Sequence, residues 1–291
     1  MNFDKTHMRF LTLFLLIGSL QIEAVSQGLL DELNEETPEA TYYTVATFKD
    51  TRIVNLQSNE TVAQGVLHFV ILHRFGKLNS GFYDLFGLDN ADMKMSFDYG
   101  ITDDITVSYA RSNFEKTFEG SLKAKLLKQS TGARKIPLSV SWYSVMMYTN
   151  SKQFDFSNKQ RLSYAHQAII TRKFNKNLSL ALIPTIVHKN IIDTPYELHD
   201  NFVLGIGGRH KISPRISVNA EYNLRLNAHE NDEAYNGLSL GFDIETGGHV
   251  FQLHVTNSAG MFERSFLTEN YGSWHNGDIY FGFNMSRVFN L

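Results

Sequence analysis

From residue 65 to residue 290, apolar and polar positions alternate with period two in one segment after another. That spacing builds strands with one apolar face and one polar or small face. Met93, Met95, Phe97, Tyr99 and Ile101 point one way, with Lys94, Ser96, Asp98 and Gly100 between them. Ile105, Val107 and Tyr109 repeat the pattern after Thr102-Asp103-Asp104, and Leu178, Leu180 and Leu182 repeat it after Asn175-Lys176-Asn177. Ile216, Val218, Ala220, Tyr222 and Leu224 follow Ser213-Pro214-Arg215, while Leu238, Leu240, Phe242 and Ile244 turn at Thr246-Gly247-Gly248 into Phe251, Leu253 and Val255. The pattern predicts roughly twelve strands, an even number within the range of bacterial barrels. Their spans are 65–75, 92–101, 105–112, 119–127, 137–148, 160–174, 178–189, 201–212, 216–225, 236–245, 249–257 and 277–290.

The connections alternate in length. Those near 103, 176, 214 and 247 are tight. Those at 76–91, 149–159, 190–200, 226–235 and 258–276 are long, 113–118 is shorter, and 128–136 is intermediate. Short turns at one end and long loops at the other fit a barrel inserted from the periplasm, with both termini at the turn end. The predicted fold class is therefore all-β, an antiparallel up-and-down transmembrane β-barrel. A soluble β-sandwich shares the alternation, but its strands run nearer five or six residues. The inner face proposed here also mixes Ser, Gly, Ala and Asn with charges of both signs, which suits a wet or plugged lumen better than a solvent-facing sheet.

Two positions test this reading. Ile279, Phe281, Phe283, Met285 and Phe289 share the lipid face of the last strand, so Arg287 falls on that face close to the interface, where a cation is nearly neutral in cost. Pro184 cannot donate to its ladder, which predicts a bulge or weakened pairing there.

Composition changes the picture little: 13% aromatic residues and 20 Gly suit strands and turns, and a formal net charge of -3 gives no field for nucleic acid. Targeting adds more. Lys5 and Arg9 precede an apolar run, Phe10 to Leu20, and Ala24-Val25-Ser26 offers small residues at a cleavage site. The run is shorter than the roughly 20 residues a membrane-spanning helix requires. The expected organisation is a signal peptide at 1–26, a periplasmic N-terminal segment or internal plug at 27–64, and a barrel at 65–291. Within 27–64, the acidic stretch Asp31 to Glu39 precedes Tyr42, Tyr43, Val45 and Phe48, then Arg52 to Leu56. Leader, strand and plug all remain open for it.

Three stretches resemble an uncharacterised family of outer-membrane β-barrel proteins, the domain-of-unknown-function 5777 family. They are His73-Arg74-Phe75-Gly76 with Phe86-Gly87-Leu88-Asp89, then Phe242-Asp243-Ile244-Glu245-Thr246-Gly247-Gly248-His249, and Gly277-Asp278-Ile279-Tyr280-Phe281-Gly282-Phe283 with Ser286-Arg287. The resemblance implies a barrel and brings no catalytic residues.

The residues themselves single out no catalytic, cofactor or metal site. His254 and Ser258 lie four residues apart on an extended segment, too far for a nucleophile and its base. His188, His199, His210 and His229 show no short ligand spacing. Gly205-Ile206-Gly207-Gly208 lies inside a strand and opens no helix, so wall curvature or close lumen packing explains it better than phosphate binding.

The lumen is the expected functional surface. Lys94, Lys123, Lys125 and Arg209 are expected to face Asp98, Glu221, Asp243 and Glu245 across it, either as an ion-selective constriction or as a neutralised, salt-bridged wall. Ser96, Ser108, Ser139, Ser141, Ala165, Ala181, Gly241 and Gly282 are small enough to leave a narrow pore or room for one small ligand. The readings in order are a narrow channel for ions or small solutes, a docking barrel binding a partner through its long loops or residues 27–64, and an outer-membrane hydrolase. The expected surroundings are outer-membrane lipid and the barrel-assembly machinery, which would read the C-terminal strand.

Overall fold

The computed structural model describes residues 40–291, apart from Phe154, Asp193, Gly247 and Gly248. The expected signal peptide and the acidic stretch lie outside the described residues. In chain order the strands are β1 (Thr41–Tyr43), β2 (Val66–Lys77), β3 (Ala91–Thr102), β4 (Ile105–Ser112), β5 (Thr117–Leu127), β6 (Ser130–Gly132), β7 (Ser139–Thr149), β8 (Leu162–Lys173), β9 (Leu178–Lys189), β10 (Asp200–Ser213), β11 (Ile216–Arg225), β12 (Gly237–Thr246), β13 (His249–Thr256) and β14 (Tyr280–Asn290). One short helix, α1 (Glu263–Thr268), lies in the connection before β14.

Twelve of these strands close into one antiparallel barrel in which each pairs with its sequence neighbours and β14 seals against β2. Closure leaves no strand edge unpaired, the condition for spanning lipid with strands. Among the described residues no helix is long and apolar enough to cross a membrane. Alternation holds through the barrel: Met93, Phe97, Tyr109, Leu122, Phe202, Leu240 and Leu253 are exposed outside, whereas Lys94, Asp98, Lys123, Glu221 and Asp243 are buried inside. Arg287 sits on the outer face at the end of β14, its guanidinium 5.0 Å from the Phe289 ring centre.

At Pro184 the β8–β9 ladder is interrupted between Gln167↔Thr185 and Ile170↔Leu182 without a change of register. A missing donor weakens pairing there but inserts no extra residue, so there is no bulge.

Tight connections at 103–104, 174–177 and 214–215 define a turn end, and 78–90, 150–161, 190–199, 226–236 and 257–279 define a loop end. The connection of intermediate length belongs to the turn end. It carries β6, which pairs with β1, so the chain approaching the barrel is fastened to its rim.

From that rim, residues 47–62 enter the barrel. Thr51–Ser58 is a tight hairpin: Ser58 N–H donates to Thr51 O at 2.9 Å and Ile53 N–H to Leu56 O at 2.8 Å, with a bridge between Arg52 and Gln57. It is amphipathic. Phe48, Ile53 and Leu56 pack on the apolar inward side chains of β7–β10, among them Tyr143, Val145, Ile169 and Ile183. Burying side chains of this size stabilises by about 1.5–3 kcal/mol each.

From the opposite end the connection 257–279 folds inward and adds Phe262, Phe266 and Leu267 to the same cluster. The hairpin and this connection thus occupy space beside the small wall residues. Gly207 illustrates the fit, since a Cβ there would come within 2.4 Å of Ile53 Cδ1.

Candidate functional site

The candidate site is the lumen, built by a polar wall, the hairpin and the inward loop. Its polar wall comes from β2–β5 and β11–β14, and the other side of the hairpin faces it. Val54, Asn55 and Leu56 donate three successive backbone N–H groups to the Glu221 carboxylate at 2.9–3.1 Å. A turn that aims consecutive N–H groups to one side forms an anion-binding concavity, here filled by a wall side chain. Gln252 Nε2 donates to Ile53 O at 2.6 Å and Asn284 Nδ2 to Val54 O at 3.3 Å, so the tip carbonyls are satisfied as well.

Nearer the turn end, ionic contacts hold the base of the hairpin. Lys49 Nζ lies 2.5 Å from Glu245, and Ser286 Oγ donates to Asp50 at 2.6 Å. His68 sits between Asp50 at 3.2 Å and Asp98 at 3.4 Å, while Arg52 reaches Asp98 at 3.8 Å. Lys123 Nζ donates to the carbonyls of Thr51 at 2.8 Å and Glu60 at 3.3 Å.

All eight predicted charges fall on the inward-facing register, but their pairing differs from expectation. Among the described ion pairs none joins one of the four cations to one of the four carboxylates. Lys94 pairs with Glu119 at 2.6 Å, Asp98 is bound by His68, Arg52 and Ser96, and Glu245 is bound by Lys49. Arg209 donates to Ser217 Oγ at 3.0 Å, Asp243 accepts from Gln252 at 2.6 Å, and Lys125 stands half-buried toward the turn end. The physical reason is the hairpin. It occupies the axis, so charges that would have met across a void meet the inserted chain or a neighbouring strand instead.

The hairpin and the inward loop also touch. Gln57 Nε2 donates to Glu263 Oε1 at 2.9 Å. Arg74, buried on β2, donates to Asn55 Oδ1 at 2.8 Å and to the carbonyl of Ser258. Sequence reasoning missed Arg74, Glu119 and Glu263. The available signal was a set of long charged residues at inward positions beside Gly and Ser, which leaves room for a second layer of chain.

At the loop end, Lys77 at 3.0 Å and Asn79 at 3.0 Å bind Asp278, whose carboxyl is lowered to about 2 chiefly by the Asn79 and Lys77 hydrogen bonds. This ties the connection 257–279 to the one after β2.

Of the histidines considered, His254 is buried in the lumen and Ser258 donates to Gly260 O, so the two do not meet. His188 bonds Asp200 at 2.7 Å, and His199 bonds the Lys189 carbonyl. On the outer face Ser144 Oγ and His166 Nδ1 lie 2.9 Å apart, with Trp142 Nε1 donating to the same hydroxyl at 2.8 Å. Among the described residues no carboxylate orients His166. The cluster satisfies polar groups on an otherwise apolar face.

A family model described as membrane bound beta barrel domain (DUF5777) matches residues 48–289, the hairpin and barrel together. No curated protein sequence matches the chain. Among solved structures, the NanC porin is similar at 9% identity and TM-score 0.49, covering 76% of this chain and 98% of that one. The KdgM porin follows at 8% and 0.47, covering 76% and 99%. Outer membrane phospholipase A from Escherichia coli is similar at 14% and 0.43, covering 76% and 89%. At these values the likenesses carry no functional weight.

Proposed function

The chain belongs to the family of membrane bound beta barrel domains (DUF5777), and from that premise we propose that it is a gated passage for ions or small polar solutes in the bacterial outer membrane. The hairpin 47–62 is its gate. The observation that carries the reading is the polar attachment of the hairpin: its tip is held by one carboxylate, Glu221, and its base by ion pairs. Buried ion pairs seldom stabilise more than well-packed apolar side chains of similar volume. A permanently closed interior therefore gains little from a charged wall, whereas an interior wetted after hairpin withdrawal requires one. Ser141, Ser163, Gln167 and Thr171 support the same view. Each turns a buried polar atom inward that has no protein partner among the described residues, and such groups call for water.

The other half of the lumen favours a second reading. Phe48, Ile53 and Leu56 in an apolar cluster with Phe262 and Phe266 suit a barrel that stays closed and serves as a docking surface. Export by the N-terminal leader and recognition of β14 by the assembly machinery belong to either reading.

Single-channel recording in planar bilayers separates them. The full mature chain should be closed or open only briefly. A variant lacking 41–62, with the connection 257–279 shortened, should conduct steadily. If that variant forms a heat-modifiable barrel and stays silent, the passage reading fails.

A further inference from the structure

Midway along their strands, Phe97, Leu122, Ile206, Leu240 and Leu253 present apolar side chains to the outside of the barrel. β7 and β8 depart from this. Ser144 stands at the centre of β7, with five residues of the strand on either side, and His166 is its partner across the β7–β8 ladder. Both point outward with Trp142, between the buried inward residues Tyr143, Val145, Ala165 and Gln167. Lipid offers nothing to such groups at this depth, because its ester and headgroup atoms lie at the boundaries of a hydrocarbon core about 30 Å thick. Polar and ionisable side chains inside that core are costly and mark functional positions.

Within the cluster one donor is left over. Trp142 Nε1 donates to Ser144 Oγ at 2.8 Å, and Ser144 Oγ lies 2.9 Å from His166 Nδ1. An indole N–H can only donate, so Ser144 Oγ accepts from it and passes its own hydrogen to Nδ1. The imidazole hydrogen then stands on Nε2. That N–H has no partner among the described residues, and Ser144 Oγ keeps one free lone pair. An unmatched donor and an unmatched acceptor thus stand side by side on a wall that looks into lipid. Small residues flank them. Gly120 on β5 has nothing within 4 Å of its Cβ position and lies two residues from Leu122, which pairs with Ser144, while Ala168 follows His166 on the same face. Small side chains at such a place let two walls approach closely.

We propose that this patch is the contact surface of a homodimer in the membrane, in which His166 Nε2–H of each copy donates to Ser144 Oγ of the other. Two copies inserted from the same side share one orientation, so a two-fold axis along the membrane normal brings residues of equal depth together. Ser144 and His166 lie at one depth because they pair across the ladder. The donor of each copy therefore meets the acceptor of the other without vertical offset, and both unmatched groups are satisfied twice over. A different membrane protein would have to carry the complementary pair at the same depth by coincidence. This contact lies outside the lumen and is independent of whether the barrel conducts.

Sedimentation equilibrium of the full mature chain in density-matched detergent micelles tests the contact. The chain should show reversible association between monomer and dimer. His166→Leu makes the wall more apolar and so suits a lipid-facing position, yet it should weaken the dimer about tenfold, the loss expected of two intramembrane hydrogen bonds. Ala168→Trp leaves those bonding groups in place and fills the gap between the walls, and it should leave a monomer. Leu253→Ala, on β13 across the barrel, should associate as the unaltered chain does. Heat-modifiability on a gel shows that each variant is folded. A monomer at every protein concentration, a dimer of unchanged affinity in folded His166→Leu or Ala168→Trp, or an equal loss in Leu253→Ala would overturn the proposal.

Discussion

Asn55 donates its backbone N–H to both carboxylate oxygens of Glu221, at 2.9 and 3.0 Å, across a separation of 166 residues. Val54 and Leu56 add one bond each, so a single wall side chain holds the hairpin tip. Glu221→Gln removes the charge and turns an amide N–H₂ toward backbone donors. Hydrogen bonds to a charged group contribute about 1.5–3 kcal/mol, which corresponds to roughly ten- to hundredfold in an opening equilibrium. Hydrogen exchange at residues 53–57 should accelerate by that factor while the barrel strands keep their protection. Unchanged exchange would mean that burial of Phe48, Ile53 and Leu56 alone holds the hairpin.

Where the chain leaves the lumen it crosses β3 at Gly100, and Gly65 N–H donates to Gly100 O at 2.9 Å. A Cβ at Gly100 would stand 2.0 Å from Ala63 O and 2.5 Å from Val62 O, both backbone atoms that cannot rotate aside. Gly100→Ala should displace residues 62–64 and cost about 1–3 kcal/mol, as overpacking does. Lower thermal stability and faster exchange at 61–66 would register it. Gly120→Ala is the control: nothing lies within 4 Å of its Cβ position, and its effect should stay within about 0.5 kcal/mol.

The barrel was legible in the sequence because lipid outside and a polar interior impose alternation on every strand. Ile105–Ser112, Leu178–Lys189 and Ile216–Arg225 match their predicted spans to the residue. The plug was legible only as a possibility. Arg52 to Leu56 reads as a short strand, and nothing local says that its partner is a carboxylate 166 residues away. The inward charges were found by alternation, yet their partners were not, since pairing depends on what occupies the axis. Small residues such as Gly207 and Ser141 signal interior space without saying whether solute or chain fills it.

β14 closes the barrel, and its last pairs are Phe289↔Leu67 and Asn290↔Val66, followed by Leu291 N–H to Gly65 O at 3.1 Å. Deleting Phe289–Leu291 unzips the seam at the turn end and leaves backbone groups unpaired beside lipid, which is costly. Heat-modifiable protein recovered from membranes should fall several-fold. Phe289→Ala keeps the ladder, so it should refold normally in detergent. If it also assembles normally in cells, the aromatic is not the feature read during insertion.

Asp278 gives a pH dependence at the loop end. Its carboxyl is depressed from the ordinary 3.8 to about 2 by Asn79, Lys77 and the Ser273 N–H. A depressed folded value means that the contribution is present above pH about 4 and is lost as the pH falls toward about 2, because protonation then costs the bonds from Lys77 and Asn79. The group is near the surface, so the effect should be local and weakened by salt. Exchange at amides 273–279, measured between pH 4.5 and 2.5 and corrected for intrinsic rates, should rise at the acid end. Asp278→Asn should be fast at both ends of that range and show no such step. A step of equal size in Asp278→Asn would assign the acid loosening to another carboxylate at the loop end.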